Sequence, residues 1–280
     1  MSADVDSDTR CASIQHFSLM NSLLAVLNSS EHDSTENVLA CYFLGHFDCL
    51  KQLNVYEVAA ECFTTRSGIR RFCQSIGLEN FSDLKSYSWE WDRHSSLFIG
   101  YADHPDYRSF LTDSIRLMTE QVNRLVSDDD LDRLAQSLHD AERVIILTSD
   151  FSSMAIRQFQ QSMLYLHKIV HVITDSSGDI SGLGTLGAAD FLIVISEHGN
   201  YAHAVRPMLE GSTVPKALVT LDGDHDLDEY FDQQIRLTDG EKTDGRTVYA
   251  HYGVSFLFEL LYNRYLVKYG NAPVEKANGQ

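Results

Sequence analysis

The chain has 280 residues, of which 44% are hydrophobic and 22% charged, a composition typical of a soluble globular protein with room for two domains. No run approaches the roughly 18 to 20 apolar residues of a membrane span, and the acidic start MSADVDSDTR is unlike a signal peptide, so we expect a cytoplasmic protein without a membrane partner. The formal net charge of −18 argues against binding nucleic acid through overall positive charge, so any DNA contact must come from a local cluster.

The cysteines give no sign of a metal centre. The chain has five, at Cys11, Cys41, Cys49, Cys62 and Cys73. They form no C-x-x-C pair, and no histidine stands at zinc-ligand spacing beside them. We therefore expect reduced thiols in a reducing compartment, with no metal site and no cofactor.

Residues 1–90 are predicted to form a helical N-terminal domain. After a polar arm and an amphipathic helix, Ser34 is placed to cap one helix and Asn54 to cap the next. Phe63-Thr64-Thr65 is too short and polar for a regular element, which indicates a tight turn. A third helix follows, closed by Gly77, and its predicted inward face consists of Ile69, Phe72, Cys73 and Ile76. Two short helices joined by a brief turn are typical of a helix-turn-helix.

Residues 91–126 are predicted to be a linker and a connecting helix. As far as Asp106 the helical pattern is weak and Pro105 interrupts it, whereas residues 107–125 recover a helical period. We therefore expect the boundary between two domains within 91–107.

Residues 127–280 are predicted to form a second domain of the α/β class. Strand-like runs rich in β-branched residues alternate with helical stretches, and a long apolar helix over 248–269 follows them. The runs are Val144–Thr148, Ile169–Thr174, Phe191–Ser196, Ala217–Leu221 and Gln234–Leu237. Such strands predict a parallel sheet covered on both faces. The predicted fold class is α + α/β, an all-helical helix-turn-helix domain followed by a doubly wound, flavodoxin-like parallel sheet.

The second helix of the helix-turn-helix carries the candidate DNA contacts. In such a motif this helix lies in the major groove, and its first residues touch base edges. The residues that face away from the predicted core are Arg66, Ser67, Arg70, Arg71 and Gln74. Arginine suits guanine edges and phosphates, and glutamine suits adenine. Because residues 35–90 hold five positive and seven negative side chains, a three-helix bundle with merely solvated arginines stays open as an alternative.

The loops after the strands carry the candidate ligand contacts. In an open parallel sheet, ligands bind beyond the carboxyl ends of the strands. Polar segments stand there at 148–153, 174–177, 196–200 and 222–224. The candidate contacts are Ser149, Ser152 and Ser153 in the first loop and Ser196, His198, Gly199 and Asn200 in the third. Serine and asparagine are also common helix caps, so each residue alone has a structural explanation.

The segment Thr35 to Leu84 resembles the N-terminal domain of the RpiR family of sugar-responsive transcriptional regulators. Beside the family pattern S-x-x-T-I-x-R-F-C-K-x-L-G, this chain has Ser67-Gly-Ile-Arg-Arg-Phe-Cys-Gln-Ser-Ile-Gly77, followed by Asn80-Phe-Ser-Asp-Leu-Lys85. The Arg71-Phe72-Cys73 core, Gly77 and the Phe81, Leu84 and Lys85 tail fall at the spacing of the family. The turn Phe63-Thr64-Thr65 and Gly68 depart from the pattern. The resemblance implies binding to a double-stranded DNA operator.

Residues 127–268 resemble the sugar isomerase (SIS) domain that these regulators carry as a sensor. The family loop G-x-G-x-S corresponds to Thr148-Ser-Asp-Phe-Ser152, which keeps the serine and loses both glycines. The loop S-x-S-G-x-T corresponds to Ser196-Glu-His-Gly-Asn200, which keeps the first serine and the glycine. The resemblance implies a small-molecule effector, a sugar phosphate or a related metabolite. Asp150 would place a carboxylate near a bound phosphate.

Two other functions compete with the regulator. A sugar-phosphate isomerase could use His198, His251 or Glu259 for proton transfer, and a binding or scaffold protein could keep the fold without DNA contact. We expect a regulator without catalytic residues. In this interpretation the SIS domains pair as a homodimer or homotetramer through the 248–269 helix and the 107–125 connector, and present two helix-turn-helix units to a palindrome.

Overall fold

The computed structural model describes residues 18–174, 181–221, 225–240 and 248–270. The predicted polar arm, with Cys11, lies outside these ranges. The chain divides into two compact units, and the division falls in sequence between Tyr107 and Arg108, inside the predicted linker 91–126. In the described ranges, no helix combines the length and apolar character needed to cross a membrane.

The first unit is helical. Its elements are α1 (Leu19–Ser29), α2 (Thr35–Gly45), a 3-10 segment (Phe47–Gln52), α3 (Val55–Glu61), α4 (Arg66–Ser75), α5 (Phe81–Ser86) and α6 (Trp89–Ala102). The predicted caps are confirmed, since Ser34 accepts a hydrogen bond from the Asn37 N–H and Asn54 accepts one from the Tyr56 N–H. The helices enclose a core that includes Leu23, Leu39, Phe43, Leu50, Val58, Ile69, Cys73 and Leu84.

Helix α6 occupies a segment that the sequence pattern leaves without a regular element. The sequence analysis found only a weak pattern here and did not predict this helix, which extends to Ala102. Trp89, Trp91 and Ile99 of α6 are exposed, and the most deeply buried side chain described in this helix is that of Glu90. A segment in which these large apolar side chains are exposed gives little of the apolar period on which such a prediction depends.

Glu90 caps α1 from more than seventy residues away. Its carboxylate accepts the Leu19 N–H at 2.7 Å, the Met20 N–H at 3.1 Å and the Ser18 hydroxyl at 3.1 Å. Burial raises the pKa of Glu90, and the three donors oppose that shift. A buried carboxylate thus joins the first turn of α6 to the start of α1 and accepts three polar hydrogens there.

The second unit is an α/β domain. Its elements are α7 (Tyr107–Leu125), which begins at the boundary, α8 (Asp128–Asp140), β1 (Arg143–Thr148), α9 (Asp150–Leu164), β2 (Val170–Thr174), a 3-10 segment (Ser181–Thr185), β3 (Asp190–Ile195), α10 (Asn200–Val205), a 3-10 segment (Arg206–Met208), β4 (Lys216–Thr220), α11 (His225–Asp228), β5 (Gln233–Arg236), a π-helical turn (Tyr249–Gly253) and α12 (Val254–Tyr269). The five predicted strands are confirmed to within one residue at each end.

The strands form one sheet in the order β2-β1-β3-β4-β5. β1 pairs in parallel with β3, β3 with β4, and β4 with β5. This is the predicted flavodoxin-like order, and every residue of β3 is buried. Because the chain leaves β1 for one edge and returns through β3 toward the other, the loops after β1 and β3 open at the switch point where such sheets bind ligands.

Candidate functional site

The exposed face of α4 carries all five predicted DNA contacts. Arg66, Ser67, Arg70, Arg71 and Gln74 are exposed, and the opposite face buries Gly68, Ile69, Phe72 and Cys73. The helical period alone produces this separation, because residues three and four apart share a face. The structure therefore brings together the cluster of positive charge that the acidic chain requires for any DNA contact.

The turn before α4 and the end of α4 are fixed by the same backbone motif. At the end of α3, the Phe63 N–H bonds to the Ala60 carbonyl at 3.3 Å and the Thr64 N–H to the Ala59 carbonyl at 2.9 Å. At the end of α4, the Gly77 N–H bonds to Gln74 at 3.0 Å and the Leu78 N–H to Cys73 at 2.8 Å. These paired bonds are Schellman motifs, so the turn and both helix ends have a defined geometry.

The two departures from the family pattern lie in contact with each other. A β-carbon built at Gly68 would stand 2.5 Å from Thr64 Oγ1, closer than side chains approach. Thr65 caps α4 by accepting the Gly68 N–H at 3.0 Å, which fixes the first turn of the helix against the turn residues. The threonine at 64 therefore requires the glycine at 68.

Arg66 is held in place by Tyr56 of α3. Its Nη1 donates to the tyrosine hydroxyl at 2.9 Å, and its guanidinium carbon lies 4.9 Å from the ring centroid. This arrangement combines a hydrogen bond with a cation–π contact, which restricts the side chain before any ligand arrives. Tyr56 is itself 64% exposed, so the pair forms part of the surface beside the N-terminus of α4.

In the second unit, the loops after β1 and β3 are joined by side chains. Ser152 Oγ donates to Glu197 Oε1 at 2.8 Å. Ser149 caps α9 by its backbone position and is half-buried, as is Ser153, whereas Ser152 is buried. The structure thus brings the two predicted ligand loops together, through a carboxylate that the sequence analysis did not select.

Glu197 is the residue that sequence reasoning missed. Burial raises the pKa of its carboxyl group, and the Ser152 hydrogen bond and the nearby His198 only partly oppose this shift. The sequence did contain a signal for Glu197, namely an acidic residue inside a loop that aligns with a loop of the SIS pattern. Asp150, the acid that the sequence analysis did name, begins α9, and its side chain lies outside the described parts of the structure.

The loop after β3, residues 196–200, also stabilises the start of α10. Ser196 is buried, and its Oγ accepts the Ala202 N–H of the first turn of α10 at 3.1 Å, although the N-cap position itself is Gly199. Gly199 adopts a left-handed conformation with φ of 77°, which allows the chain to turn into α10. His198 and Asn200 are exposed at this turn. The predicted segments 175–177 and 222–224 lie outside the described residues.

The candidate acid/base residues lie on three different segments: His198 in the loop after β3, His251 in the π-helical turn and Glu259 in α12. Glu259 of α12 is exposed and accepts a hydrogen bond from Gln158 Nε2 at 3.0 Å, about 9 Å along α9 from Ser152. His251 lies half-buried in the π-helical turn, where burial lowers its pKa. Within the described ranges, no group of three His, Cys, Asp or Glu side chains is arranged to hold a metal ion.

Four cysteines fall within the described residues, and all four are free thiols. Cys62 and Cys73 are buried in the first unit, and burial raises their pKa values to about 11 and about 12. A thiol with so high a pKa is protonated and unreactive at neutral pH. These cysteines therefore serve the helical core rather than a chemical site.

Sequence comparison finds two curated relatives, and no family model matches the chain. YbbH of Bacillus subtilis (strain 168), an uncharacterized HTH-type transcriptional regulator, is 26% identical over 184 residues, which cover 63% of this chain and 65% of YbbH. TTE0211 of Caldanaerobacter subterraneus subsp. tengcongensis, another uncharacterized HTH-type transcriptional regulator, is 38% identical over 68 residues, 24% of each chain. The chain thus spans less than two thirds of the length of the curated relatives it matches.

Among solved structures, NanR of Vibrio vulnificus in complex with ManNAc-6P superposes over 90% of this chain and 93% of its own, with a TM-score of 0.50 and 16% identity. The chain is therefore similar in sequence to HTH-type transcriptional regulators, and it shares the fold of NanR. The predicted resemblance to transcriptional regulators agrees with the two curated relatives, and the predicted fold of both parts of the chain agrees with that of NanR. Both curated relatives are named as regulators rather than as enzymes.

Proposed function

We propose that the protein is a DNA-binding transcriptional regulator whose SIS domain binds a sugar phosphate or a related metabolite. The observation that carries the proposal is the exposed face of α4, where three arginines and a glutamine follow a rigid turn. NanR, which shares the fold, binds ManNAc-6P, and this supports a ligand of that class. Residues 1–90 would bind DNA, residues 91–126 would connect, and residues 127–280 would sense the effector.

For the SIS domain we propose a sensor rather than an isomerase. Glu259 is engaged by Gln158 on the exposed surface of α9 and α12, and Ser152 is engaged by Glu197. The bond to Gln158 places Glu259, the candidate carboxylate for proton transfer, about 9 Å along α9 from the loop serine, and both curated relatives are named as regulators. Turnover of an aldose or ketose phosphate by the purified protein would contradict this assignment.

In operation, the regulator would bind a palindromic operator as a homodimer or homotetramer. An effector held between the loops at 149–153 and 196–200 would then bind one arrangement of the DNA-binding units better than another, because only differential binding shifts an equilibrium. Sedimentation measurements test the assembly, since a monomer at working concentration would contradict it.

The DNA-binding proposal is tested by selection from a pool of random 30-bp duplexes. The wild-type protein should enrich a common sequence, and the Arg70→Ala/Arg71→Ala variant should bind the enriched duplex at least about tenfold more weakly, because each arginine supplies a charge-assisted contact. Arg108→Ala/Arg157→Ala is the matched control, since it removes two exposed arginines from the second unit. Enrichment of no sequence, or equal affinity of both double variants, would contradict the proposal.

A further inference from the structure

The turn between α3 and α4 presents a large aromatic side chain to solvent. Phe63 is 97% exposed, more than any other large hydrophobic residue of the described chain. It stands three residues before Arg66, the first residue of α4. An apolar ring in water contributes nothing to the core of the first unit, so its presence there needs another explanation.

The backbone at Phe63 adds a second unfavourable feature. Its φ is 50°, in the left-handed region that favours glycine, because Phe63 occupies the residue that follows the C-cap in the Schellman motif of α3. Gly77 occupies the same position of the same motif at the end of α4, with φ of 82°. One helix end therefore uses the residue that its geometry favours, and the other uses phenylalanine. Neither packing nor backbone preference accounts for that choice, and strained residues concentrate at functional sites.

The position of Phe63 next to α4 identifies its partner. The hydrogen bonds of the Schellman motif and the Thr65 cap hold the turn, so the ring is displayed from a defined place. When the N-terminus of α4 enters the major groove, the turn that precedes it comes to the edge of the same groove. Arg66, three residues after Phe63, is held by the exposed side chain of Tyr56, and both side chains are of types that contact a phosphate backbone.

We propose that Phe63 is a DNA-contacting residue that packs its ring against the C5-methyl group of a thymine in the major groove. This inference rests on the proposed function and extends it, since it names an apolar contact beside the polar face of α4. The thymine methyl is the apolar group that the major groove offers, and phenylalanine is one of the side chains that reads it. The strain at Phe63 is then the cost of presenting this contact.

The test uses the full chain and two glycine variants. Phe63→Gly removes the ring and relieves the backbone. His167→Gly is the matched control, because His167 is exposed in the second unit, has φ of 57°, and follows α9 with the same bonds, from His167 N–H to Leu164 and from Lys168 N–H to Met163. The probes are a duplex enriched by the wild-type protein from random DNA and the same duplex with deoxyuridine in place of thymidine.

We expect Phe63→Gly to bind the enriched duplex about tenfold more weakly than the wild type, while its Tm is unchanged or higher. His167→Gly should also have an unchanged or higher Tm, with unaltered affinity. Deoxyuridine should weaken the wild type and leave Phe63→Gly unaffected, because the variant has no ring to meet the methyl group. Phe63→Asn, which tolerates a positive φ, should behave as Phe63→Gly and guards against a folding defect.

Three results would overturn the inference. Wild-type affinity in both Phe63 variants would exclude a DNA contact, and equal sensitivity to deoxyuridine in wild type and variant would exclude the thymine methyl. A lowered Tm in both Phe63 variants would give the ring a structural role. Failure of the wild type itself to enrich any duplex is a different outcome, since it removes the proposed function on which the inference rests.

Discussion

Ser152 donates its hydroxyl hydrogen to Glu197 Oε1 at 2.8 Å, and this bond ties the loop after β1 to the loop after β3. Ser152 stands in the segment that resembles the first loop of the SIS pattern. Glu197 stands at a variable position of the segment that resembles the second loop. A phosphate group placed between these loops would meet a carboxylate and would compete with it for the serine. If a phosphorylated ligand binds between these loops, as proposed above, its affinity depends on the charge of Glu197.

We expect Glu197→Gln to bind sugar phosphates at least about tenfold more tightly than the wild type does, because the amide removes a like charge that opposes phosphate over a distance of a few ångströms. Unphosphorylated sugars should show no comparable gain. Thermal shifts across a panel of sugars and their phosphates measure both effects. Glu142→Gln is the control, since Glu142 is exposed immediately before β1, at the opposite end of the strand from the loops. The same preference in wild type and Glu197→Gln would contradict the argument.

The raised pKa of the half-buried Glu197 carboxyl also predicts a pH dependence. Burial raises its pKa in the folded state above the value of about 4.3 that it has in the unfolded chain. The folded state then holds the proton to higher pH than the unfolded state does, so this group contributes progressively less stability as pH rises from about 4.3 through its raised pKa. The unfolding free energy of the wild type minus that of Glu197→Gln should therefore decrease between about pH 4.3 and the raised pKa of Glu197, and should be constant below and above that range.

Urea unfolding of both proteins between pH 4 and 8 measures this difference, and the other carboxylates cancel because both proteins contain them. A difference that stays constant, or that grows in favour of the wild type as pH rises, would show that the carboxyl group is not titrating as a buried acid.

The fold could be predicted because its main elements have strong local patterns. The β-branched runs define the strands, and the inward face of α4 repeats at Ile69, Phe72 and Cys73. Contacts between distant segments could not be predicted in the same way. Glu197 meets Ser152 only because β1 and β3 are neighbours in the sheet, and Glu90 meets Leu19 only after α6 has folded against α1. The exposed face of α4 could be predicted from the helical spacing of its apolar residues. The strain at Phe63 could not, because it is a positive φ angle that only the structure gives.

Glu90 is expected to be the polar residue on which the first unit depends most. Glu90→Ala leaves the Leu19 and Met20 N–H groups and the Ser18 hydroxyl without their acceptor in a buried place, and each unsatisfied group costs about 1–3 kcal/mol. We expect a loss of at least about 2 kcal/mol in unfolding free energy. Glu90→Gln should lose less because one carbonyl oxygen remains. Glu79→Ala, which changes an exposed glutamate of the same unit, should have little effect, and equal losses in both alanine variants would contradict the capping role.

The contact between Thr64 and Gly68 predicts both the sign and the size of the stability change caused by Gly68→Ala. In a helix, alanine is favoured over glycine by about 1 kcal/mol, so Gly68→Ala would stabilise α4 if space allowed. The new β-carbon would meet Thr64 Oγ1 at 2.5 Å, and the stiff, β-branched threonine cannot easily turn away, so the single variant should be destabilised. In the Thr64→Ala background the obstructing oxygen is absent. There, Gly68→Ala should become stabilising by up to about 1 kcal/mol.

The four proteins of this cycle are compared by thermal and urea unfolding, and the coupling energy is the difference between the two effects of Gly68→Ala. A positive coupling of about 1–2 kcal/mol would show that the two departures from the RpiR pattern compensate each other at the start of α4. Independent effects would mean that the turn can shift to accept a β-carbon. Helix α4 would then be positioned by its caps at Thr65 and Gly77 rather than by the contact between Thr64 and Gly68.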